Sequence, residues 1–198
     1  GVLFFANNRG ILEFDGIFWR NIDILGKAVY SLEVDQTGTV FVGAENEIGY
    51  LIADESGGLQ YRSLLPYLDE KYWNFGEVWF TCNTSDGIYF QTASYIFRWN
   101  TDTIETWYSE QGFHTSFNVN GKFYVKEKSK GLCTITSDSL LLISGGDEFA
   151  GPSIMGMIPY GKNNILVITR NNEFYILAVN IKNENISSVR QFTEMDNF

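Results

Sequence analysis

Short apolar segments recur along this chain at a nearly constant spacing, and a turn residue precedes most of them. The recurring segments are Leu3-Phe4-Phe5, Val40-Phe41-Val42, Ile88-Tyr89-Phe90, Phe123-Tyr124-Val125 and Leu166-Val167-Ile168. Their centres lie about 35 to 48 residues apart, which is the period of the blades of a β-propeller. Four of the centres follow a turn residue by two or three positions, namely Gly38, Gly87, Gly121 and Asn164. Because glycine and asparagine tolerate the positive φ of tight hairpin turns, the pattern predicts repeated β-hairpins.

Several of the predicted strands are apolar on both faces. Examples are the segments 2–5, 140–143 and 165–168. A half-exposed antiparallel sheet would alternate apolar and polar residues. Burial of both faces is expected when each sheet is packed between two neighbouring sheets, as in a propeller. We therefore predict an all-β protein, a β-propeller of four-stranded antiparallel blades, rather than a sandwich of two sheets.

The repeat divides the chain into five units, which we expect to form a single domain over residues 1–198. The units cover residues 2–24, 29–64, 77–108, 115–143 and 154–192. The first unit lacks the innermost strand, and the chain begins almost inside a strand. We therefore expect a partial β-propeller of about five blades that belongs to a larger ring of about seven.

The charge balance argues against a nucleic-acid-binding role. The chain has 14 Lys and Arg against 24 Asp and Glu, which gives a formal net charge of −10. Because cationic side chains that neutralise phosphates dominate nucleic-acid affinity, we expect no nucleic acid as a partner. No apolar run approaches the roughly 20 residues of a membrane-spanning helix, so we expect no membrane insertion by this segment.

Signals for catalysis, metals and cofactors are weak in this sequence. His114 is the only histidine, which excludes a histidine-rich metal site. No G-x-S-x-G elbow, phosphate-binding loop or C-x-x-C motif occurs, and the pair Asp147-Glu148 is simply explained as part of a solvated loop. Cys82 and Cys133 fall in different predicted blades, so we expect two buried free thiols. We predict that this segment is not an enzyme and holds no metal or cofactor.

The tryptophans allow two interpretations. Trp19, Trp79, Trp99 and Trp107 could stack on sugar rings, but all four fall within predicted strands. Burial of one such ring stabilises a fold by about 2–3 kcal/mol, and a propeller needs many such contacts. We therefore assign these four residues to the blade core.

Propeller topology indicates where a ligand would bind. The loops that enter the innermost strands lie at the same end as the loops between the second and third strands. In this chain those loops carry the candidate ligand-binding residues Arg9, Trp73, Glu77, His114 and Arg170. Polar groups mixed with aromatic rings suit sugars, which present hydroxyl groups and an apolar ring face.

Longer motifs resemble the two-component-regulator propeller family, and the resemblance extends over essentially the whole chain. The motifs are the segments 5–16 with Trp19, 29–32, 35–43, 76–79, 86–91 and 96–99. The chain is similar to the ligand-sensing propellers of Bacteroidetes-type membrane-spanning regulators. The later repeats, such as the segment 119–125, depart from the family pattern.

This resemblance implies a periplasmic sensor, the extracytoplasmic part of an inner-membrane protein, that recognises a glycan-derived small molecule or oligosaccharide. In such regulators a three-tyrosine domain, a membrane helix and a histidine kinase or helix-turn-helix output follow in the same chain. Those downstream domains would be partners of the propeller, and a homodimer is left open. Two alternatives also stay open, a propeller enzyme acting on carbohydrate and a protein-interaction scaffold.

Overall fold

The computed structural model describes residues 1–55, 57–136, 139–180 and 185–192. The chain separates into two compact units, unit 1 over Gly1–Tyr108 and unit 2 over Ser109–Phe198. Within each unit, consecutive strands pair antiparallel and form separate sheets, which we number as blades 1 to 5 along the chain. Blades 1 to 3 lie in unit 1, and blades 4 and 5 lie in unit 2.

Blade 1 has three strands, whereas blades 2 and 3 each have four. The strands of unit 1 are β1 (Leu3–Asn7), β2 (Gly10–Phe14), β3 (Trp19–Ile22), β4 (Val29–Val34), β5 (Val40–Ala44), β6 (Glu47–Ala53), β7 (Leu59–Ser63), β8 (Phe80–Thr84), β9 (Gly87–Gln91), β10 (Tyr95–Asn100) and β11 (Thr103–Tyr108). First strands of neighbouring blades meet, since β4 contacts β8, and the last strands β3 and β7 also meet. The predicted three-stranded first unit and the four-stranded second and third units are confirmed.

Blades 4 and 5 also have four strands each. The strands of unit 2 are β12 (Phe113–Val119), β13 (Lys122–Glu127), β14 (Gly131–Ile135), β15 (Leu140–Leu142), β16 (Ile154–Tyr160), β17 (Asn164–Thr169), β18 (Phe174–Val179) and β19 (Ile186–Gln191). The first strands β12 and β16 contact each other, as β4 and β8 do in unit 1. The prediction of an all-β propeller with about five blades is confirmed.

The hairpin turns have the backbone geometry that the sequence predicts. Gly38, Gly87 and Gly121 have φ values of +88°, +142° and +78°. The turn before Gly38 is fixed by Asp35, whose carboxylate accepts hydrogen bonds from the backbone N–H groups of Thr37 and Thr39 at 2.8 and 2.9 Å. Asp35 is therefore a turn-forming residue, as its position in the sequence indicates.

Each unit has its own apolar core between neighbouring blades. In unit 1 one cluster contains Val40 and Val42 of β5, and another contains Phe90 and Phe97 of blade 3. In unit 2 a cluster around Val167 includes residues of both blades. Strand β5 is buried along its whole length, which agrees with the expectation of burial on both faces for central strands.

The prediction that both faces are buried is wrong for edge strands. Leu3 and Phe5 of β1 are 55% and 46% exposed, and Leu141 of β15 is 52% exposed. These strands are at the edges of their sheets, where fewer neighbouring atoms cover the side chains. In contrast, Ile165 and Val167 lie in the second strand of blade 5 and are buried as predicted.

Arg98 links the strands of blade 3 through charge and aromatic contacts. Its guanidinium group forms ion pairs with Asp86 and Glu105. The same group lies over the rings of Tyr89 and Trp107, with 5.8 and 5.4 Å between Cζ and the ring centroids. Trp107 is accordingly buried, as predicted for a blade-core tryptophan.

Helical structure in the described residues is limited to short 3-10 helices at Leu65–Tyr67, Glu70–Tyr72 and Gly146–Phe149. The last of these holds Asp147 and Glu148, which are exposed. Cys82 and Cys133 are both buried and free, as predicted. In the part of the chain that the structure describes, no helix has the length and apolar character that crossing a membrane requires.

Candidate functional site

A repeated backbone hydrogen bond joins two loops at the same end of three blades. In each case the residue that follows the second strand donates its N–H to a carbonyl just before the first strand. The bonds are Glu45 N–H to Ala28 O at 3.0 Å, Lys128 N–H to Gly112 O at 3.0 Å, and Arg170 N–H to Ser153 O at 2.8 Å. The two classes of loop therefore lie together within each blade. We call this end of the blades in each unit its loop face, formed in unit 1 by residues 26–28, 45–46, 73–77 and 92–94, and in unit 2 by residues 109–112, 128–130, 150–153 and 170–173.

The first strands carry a β-bulge next to the loop face. The register shifts between Val29 and Ser31 in β4, between Phe113 and Ser116 in β12, and between Ile154 and Gly156 in β16. A bulge bends a strand and redirects a side chain. The bulges thus hold Tyr30, His114 with Thr115, and Met155 at corresponding points of three blades.

In unit 1 two glutamates of the loop face and two aromatic rings beside it form a cluster. Glu45 and Glu77 are joined by an isolated antiparallel β-bridge. The nearby Glu77 carboxylate, acting as a hydrogen-bond acceptor, is the main reason why the pKa of Tyr30 is raised. The ring of Tyr30 lies 5.6 Å from the ring of Trp79, centroid to centroid, at 55°. We call Tyr30, Glu45, Glu77 and Trp79 the aromatic–carboxylate cluster.

The loop that carries Glu77 is held by Asn46. The Asn46 N–H donates to Gly76 O at 2.8 Å, and the Gly76 N–H donates to Asn46 Oδ1 at 2.6 Å. Lys27 Nζ also donates to Asn46 O at 2.9 Å. These bonds fix the backbone next to Glu77, so its carboxylate is positioned by two neighbouring blades.

Trp73 and Arg9, the other candidate residues of unit 1, make local contacts. The Trp73 indole N–H donates to Leu68 O at 3.1 Å, and 40% of the residue is exposed. Arg9 lies in the exposed turn between β1 and β2, where its N–H donates to Asn7 Oδ1 at 3.1 Å. Neither of these two hydrogen bonds involves Glu77. Arg9, Trp73 and Glu77 therefore all lie in unit 1, but neither bond joins one of them to another.

In unit 2 His114 lies within β12, beside the loop face rather than in a loop as expected, and cationic side chains lie near it. Partial burial lowers the pKa of His114, and the charges of Lys126, Lys128 and Arg170 lower it further. Lys126 is buried, and its Nζ donates to Pro152 O at 2.6 Å, while Lys128 and Arg170 are exposed. The candidates His114 and Arg170 are thus close enough in unit 2 to interact electrostatically. The convergence of all five candidate residues on one surface stays a prediction.

Neutralising Arg170 should raise the pKa of His114 towards its ordinary value. Removal of a nearby positive charge stabilises the imidazolium form, so an Arg170→Gln variant should bind the proton at higher pH than the parent. His114 is the only histidine, which makes an NMR titration of its ring protons unambiguous. Lys162→Gln, at the turn between β16 and β17, is the control and should leave the titration unchanged. An Arg170→Gln titration that matches the parent's would contradict this electrostatic arrangement.

The assignment of all four tryptophans to the blade core is wrong for two of them. Trp99 and Trp107 are 9% and 8% exposed, whereas Trp19 and Trp79 are 58% and 56% exposed. Trp79 lies directly before β8, and Trp19 lies on β3 at the edge of blade 1. Position within an apolar stretch did not distinguish a ring that packs in a core from a ring beside the loop face.

Three residues of these clusters were not predicted as site residues, namely Tyr30, Trp79, which was assigned to the blade core, and Lys126. The repeat itself contains a signal for the first two. Val29 and Val78 precede the turn glycines Gly38 and Gly87 by the same number of residues, so Tyr30 and Trp79 occupy equivalent positions. Lys126 carries no such signal, because a lysine in the middle of a strand pattern reads as a solvated residue.

Open grooves between blades lie at the end opposite the loop face. One groove in unit 2 is lined by Asn120, Lys122 and Lys162 among others, and one in unit 1 by Asp35 and Thr101 among others. None of the five candidate residues lines either groove. Among the residues that the structure describes, no group of three or more His, Cys, Asp or Glu could hold a metal ion.

Comparison with models of protein families and with curated proteins finds no match. Solved structures do match. The WD40 β-propeller domain of Doa1 is 9% identical at a TM-score of 0.60, over 98% of this chain and 66% of that chain. Virginiamycin B lyase from Staphylococcus aureus is 12% identical at a TM-score of 0.57, over 94% of this chain and 63% of that chain.

A third match is the extracellular domain of a putative hybrid two component system from B. thetaiotaomicron. It is 14% identical at a TM-score of 0.57, over 94% of this chain and 28% of that chain. The chain therefore spans less than two thirds of the length of each of these three structures. At such identities the matches show the fold, and this chain has the fold of a β-propeller.

Proposed function

We propose that this chain is a non-catalytic, extracytoplasmic ligand-sensing domain of a membrane-spanning regulator. The observation that carries the proposal is the loop face, where backbone hydrogen bonds hold two classes of loop together in blades 2, 4 and 5. Loops positioned by a rigid sheet are the usual place for binding residues, because they are free to vary without loss of packing. The likeness in fold to the extracellular domain of a two component system supports the same assignment.

The side chains of both loop faces suit glycan-derived ligands. In unit 1, carboxylates such as Glu77 can accept hydrogen bonds from sugar hydroxyls, and in unit 2, cationic groups such as Arg170 can donate to sugar oxygens. Aromatic rings pack against the apolar face of a sugar. The sequence resemblance to periplasmic sensor propellers points to the same ligand class, to a periplasmic location and to a kinase or DNA-binding output in the same protein.

The proposal is tested by titrating the complete extracytoplasmic region of the protein with a panel of neutral and acidic oligosaccharides by calorimetry. Arg170→Ala should weaken binding of a recognised sugar at least tenfold, because a hydrogen bond to a charged group contributes about 1.5–3 kcal/mol. His114→Ala should weaken it by a smaller factor, because the lowered pKa keeps the imidazole neutral near pH 7 and a neutral hydrogen bond contributes about 0.5–1.5 kcal/mol. Tm should stay near that of the parent, since both side chains are exposed and exposed side chains contribute little to stability. Lys162→Ala, at the opposite end of blade 5, is the matched control.

Three outcomes would contradict the proposal. Unchanged affinity in both variants, for a sugar that the parent binds, would remove His114 and Arg170 from the binding site. Release of new reducing ends during the titration would instead assign the chain to a carbohydrate-active propeller enzyme. Absence of binding to every sugar in the panel would favour a protein-interaction scaffold.

A further inference from the structure

Trp79 exposes a large aromatic ring directly next to the apolar core of unit 1. It is 56% exposed, although the adjacent Val78 is fully buried in the core between blades 2 and 3. A tryptophan ring contributes a large apolar area wherever it packs, and an exposed ring beside a loop face keeps that area available to a ligand.

We propose that the aromatic–carboxylate cluster of unit 1 is a subsite for a neutral sugar ring. This inference rests on the proposed function of glycan sensing and names the ligand class of this part of the loop face. Trp79 would pack against the apolar face of the ring, and the carboxylates of Glu77 and Glu45 would accept hydrogen bonds from its hydroxyl groups.

The arrangement around Trp79 is pre-organised. The Tyr30 ring lies 5.6 Å from the indole at 55°, so the two rings form a corner rather than a flat stack. The Glu77 carboxylate lies close enough to the Tyr30 hydroxyl to raise the pKa of Tyr30, so it lies beside one wall of the corner. The β-bulge at Tyr30 and the bonds between Asn46 and Gly76 hold the backbone that carries these groups. Little ordering is therefore needed when a ligand binds.

Carboxylates suit the hydroxyl groups of sugars. An ionised carboxylate is an acceptor with two oxygens, so it can bind two neighbouring hydroxyls at once. Hydrogen bonds to ionised acceptors are stronger than those between neutral groups. The β-bridge between Glu45 and Glu77 brings two such residues to one edge of the corner.

The charge of unit 1 distinguishes among classes of sugar. Residues 1–108 contain six Lys and Arg against 15 Asp and Glu, which gives a formal charge of −9 out of the −10 of the whole chain. A sulfated or uronic sugar would be repelled by this unit and by the two glutamates of the cluster. A neutral sugar avoids that repulsion and still supplies the hydroxyl donors.

Trp19 provides a control that matches Trp79 in chemistry, unit and exposure. It is 58% exposed, but it stacks on Phe14 at 4.6 Å and contacts Phe5 at 5.7 Å, on the last strand of blade 1. It has aromatic neighbours in place of the paired glutamates. The two tryptophans thus separate sugar binding by the cluster from the general effect of removing an exposed indole.

The test titrates the complete extracytoplasmic region with neutral xylo-, manno-, gluco- and galacto-oligosaccharides, and with uronic-acid and sulfated oligosaccharides. Trp79→Ala should weaken binding of the recognised neutral sugar at least tenfold, and Glu77→Gln should weaken it by a smaller factor. Trp19→Ala should bind as the parent does. The neutral sugar should shift the indole N–H resonance of Trp79 in the parent NMR spectrum and leave that of Trp19 in place.

Each outcome decides between the two proposals. Full affinity in Trp79→Ala, or an unshifted Trp79 resonance in the sugar-bound parent, would overturn the subsite while leaving glycan sensing intact. Binding of acidic sugars alone would overturn the neutral-sugar class. Absence of binding to all of these sugars would overturn the sensing function and the subsite together. If Trp79→Ala lowers Tm, the resonance shift in the parent is the deciding measurement.

Discussion

Replacing Gly87 by valine should lower the free energy of unfolding by about 3 kcal/mol or more, because backbone strain and steric overlap add at this position. Gly87 has a φ of +142°, which residues with a Cβ rarely adopt. A Cβ there would lie 2.6 Å from the Trp99 carbonyl oxygen and 3.1 Å from Arg98 Cγ. The carbonyl belongs to β10, which pairs with β9, so relief would require breaking the sheet of blade 3.

Gly38→Val is the matched control for this prediction. Gly38 also has a positive φ, +88°, but a Cβ at this position meets no atom within 4 Å. Only the strain of the left-handed backbone remains, about 1–2 kcal/mol. Urea denaturation followed by circular dichroism compares the two variants with the parent. Equal losses in both variants would show that the close approach of Trp99 does not constrain Gly87.

The repeat predicts most of the fold because turn geometry and strand pairing within a hairpin depend on residues that are close together in the sequence. Turn glycines at a fixed distance from apolar segments are enough to place hairpins, and Gly38, Gly87 and Gly121 all have the positive φ expected of them. The exposure of Leu3 and Leu141 was not predictable in the same way. Whether an apolar strand is central or at an edge depends on its partner strands, which a single segment does not encode.

The candidate site was predicted only in part, because the topology locates the loops but does not determine the direction of the side chains. Glu77 and Arg170 lie in loops next to the first and second strands, and the structure adds what surrounds them, whereas their role in binding stays a prediction. Tyr30 was missed because it lies in a strand, and a bulge in that strand redirects it to the loop face. Trp79 was misassigned because the same apolar pattern describes a buried ring and a ring beside a loop.

Truncating Phe97 to alanine should have the largest effect of any change considered for this chain. Phe97 is fully buried in β10, and its ring lies 4.9 Å from that of Phe75 and 5.8 Å from that of Tyr95. Loss of a buried phenylalanine ring removes apolar contacts and leaves a cavity, which together cost about 3–5 kcal/mol. Urea denaturation of Phe97→Ala measures this loss directly.

Phe97 also packs against the loop that forms part of the loop face in unit 1. Its edge-on contact with Phe75 fixes the loop that carries Glu77 two residues later, and Phe75 itself is buried. Phe97→Leu keeps most of the volume and should cost about 1.5 kcal/mol or less. We therefore expect Phe97→Ala to lose both stability and sugar affinity, and Phe97→Leu to lose less of each. Trp79→Ala should lose sugar affinity while its Tm stays unchanged. A stability loss below about 1 kcal/mol in Phe97→Ala would show that the core between blades 2 and 3 does not depend on this ring.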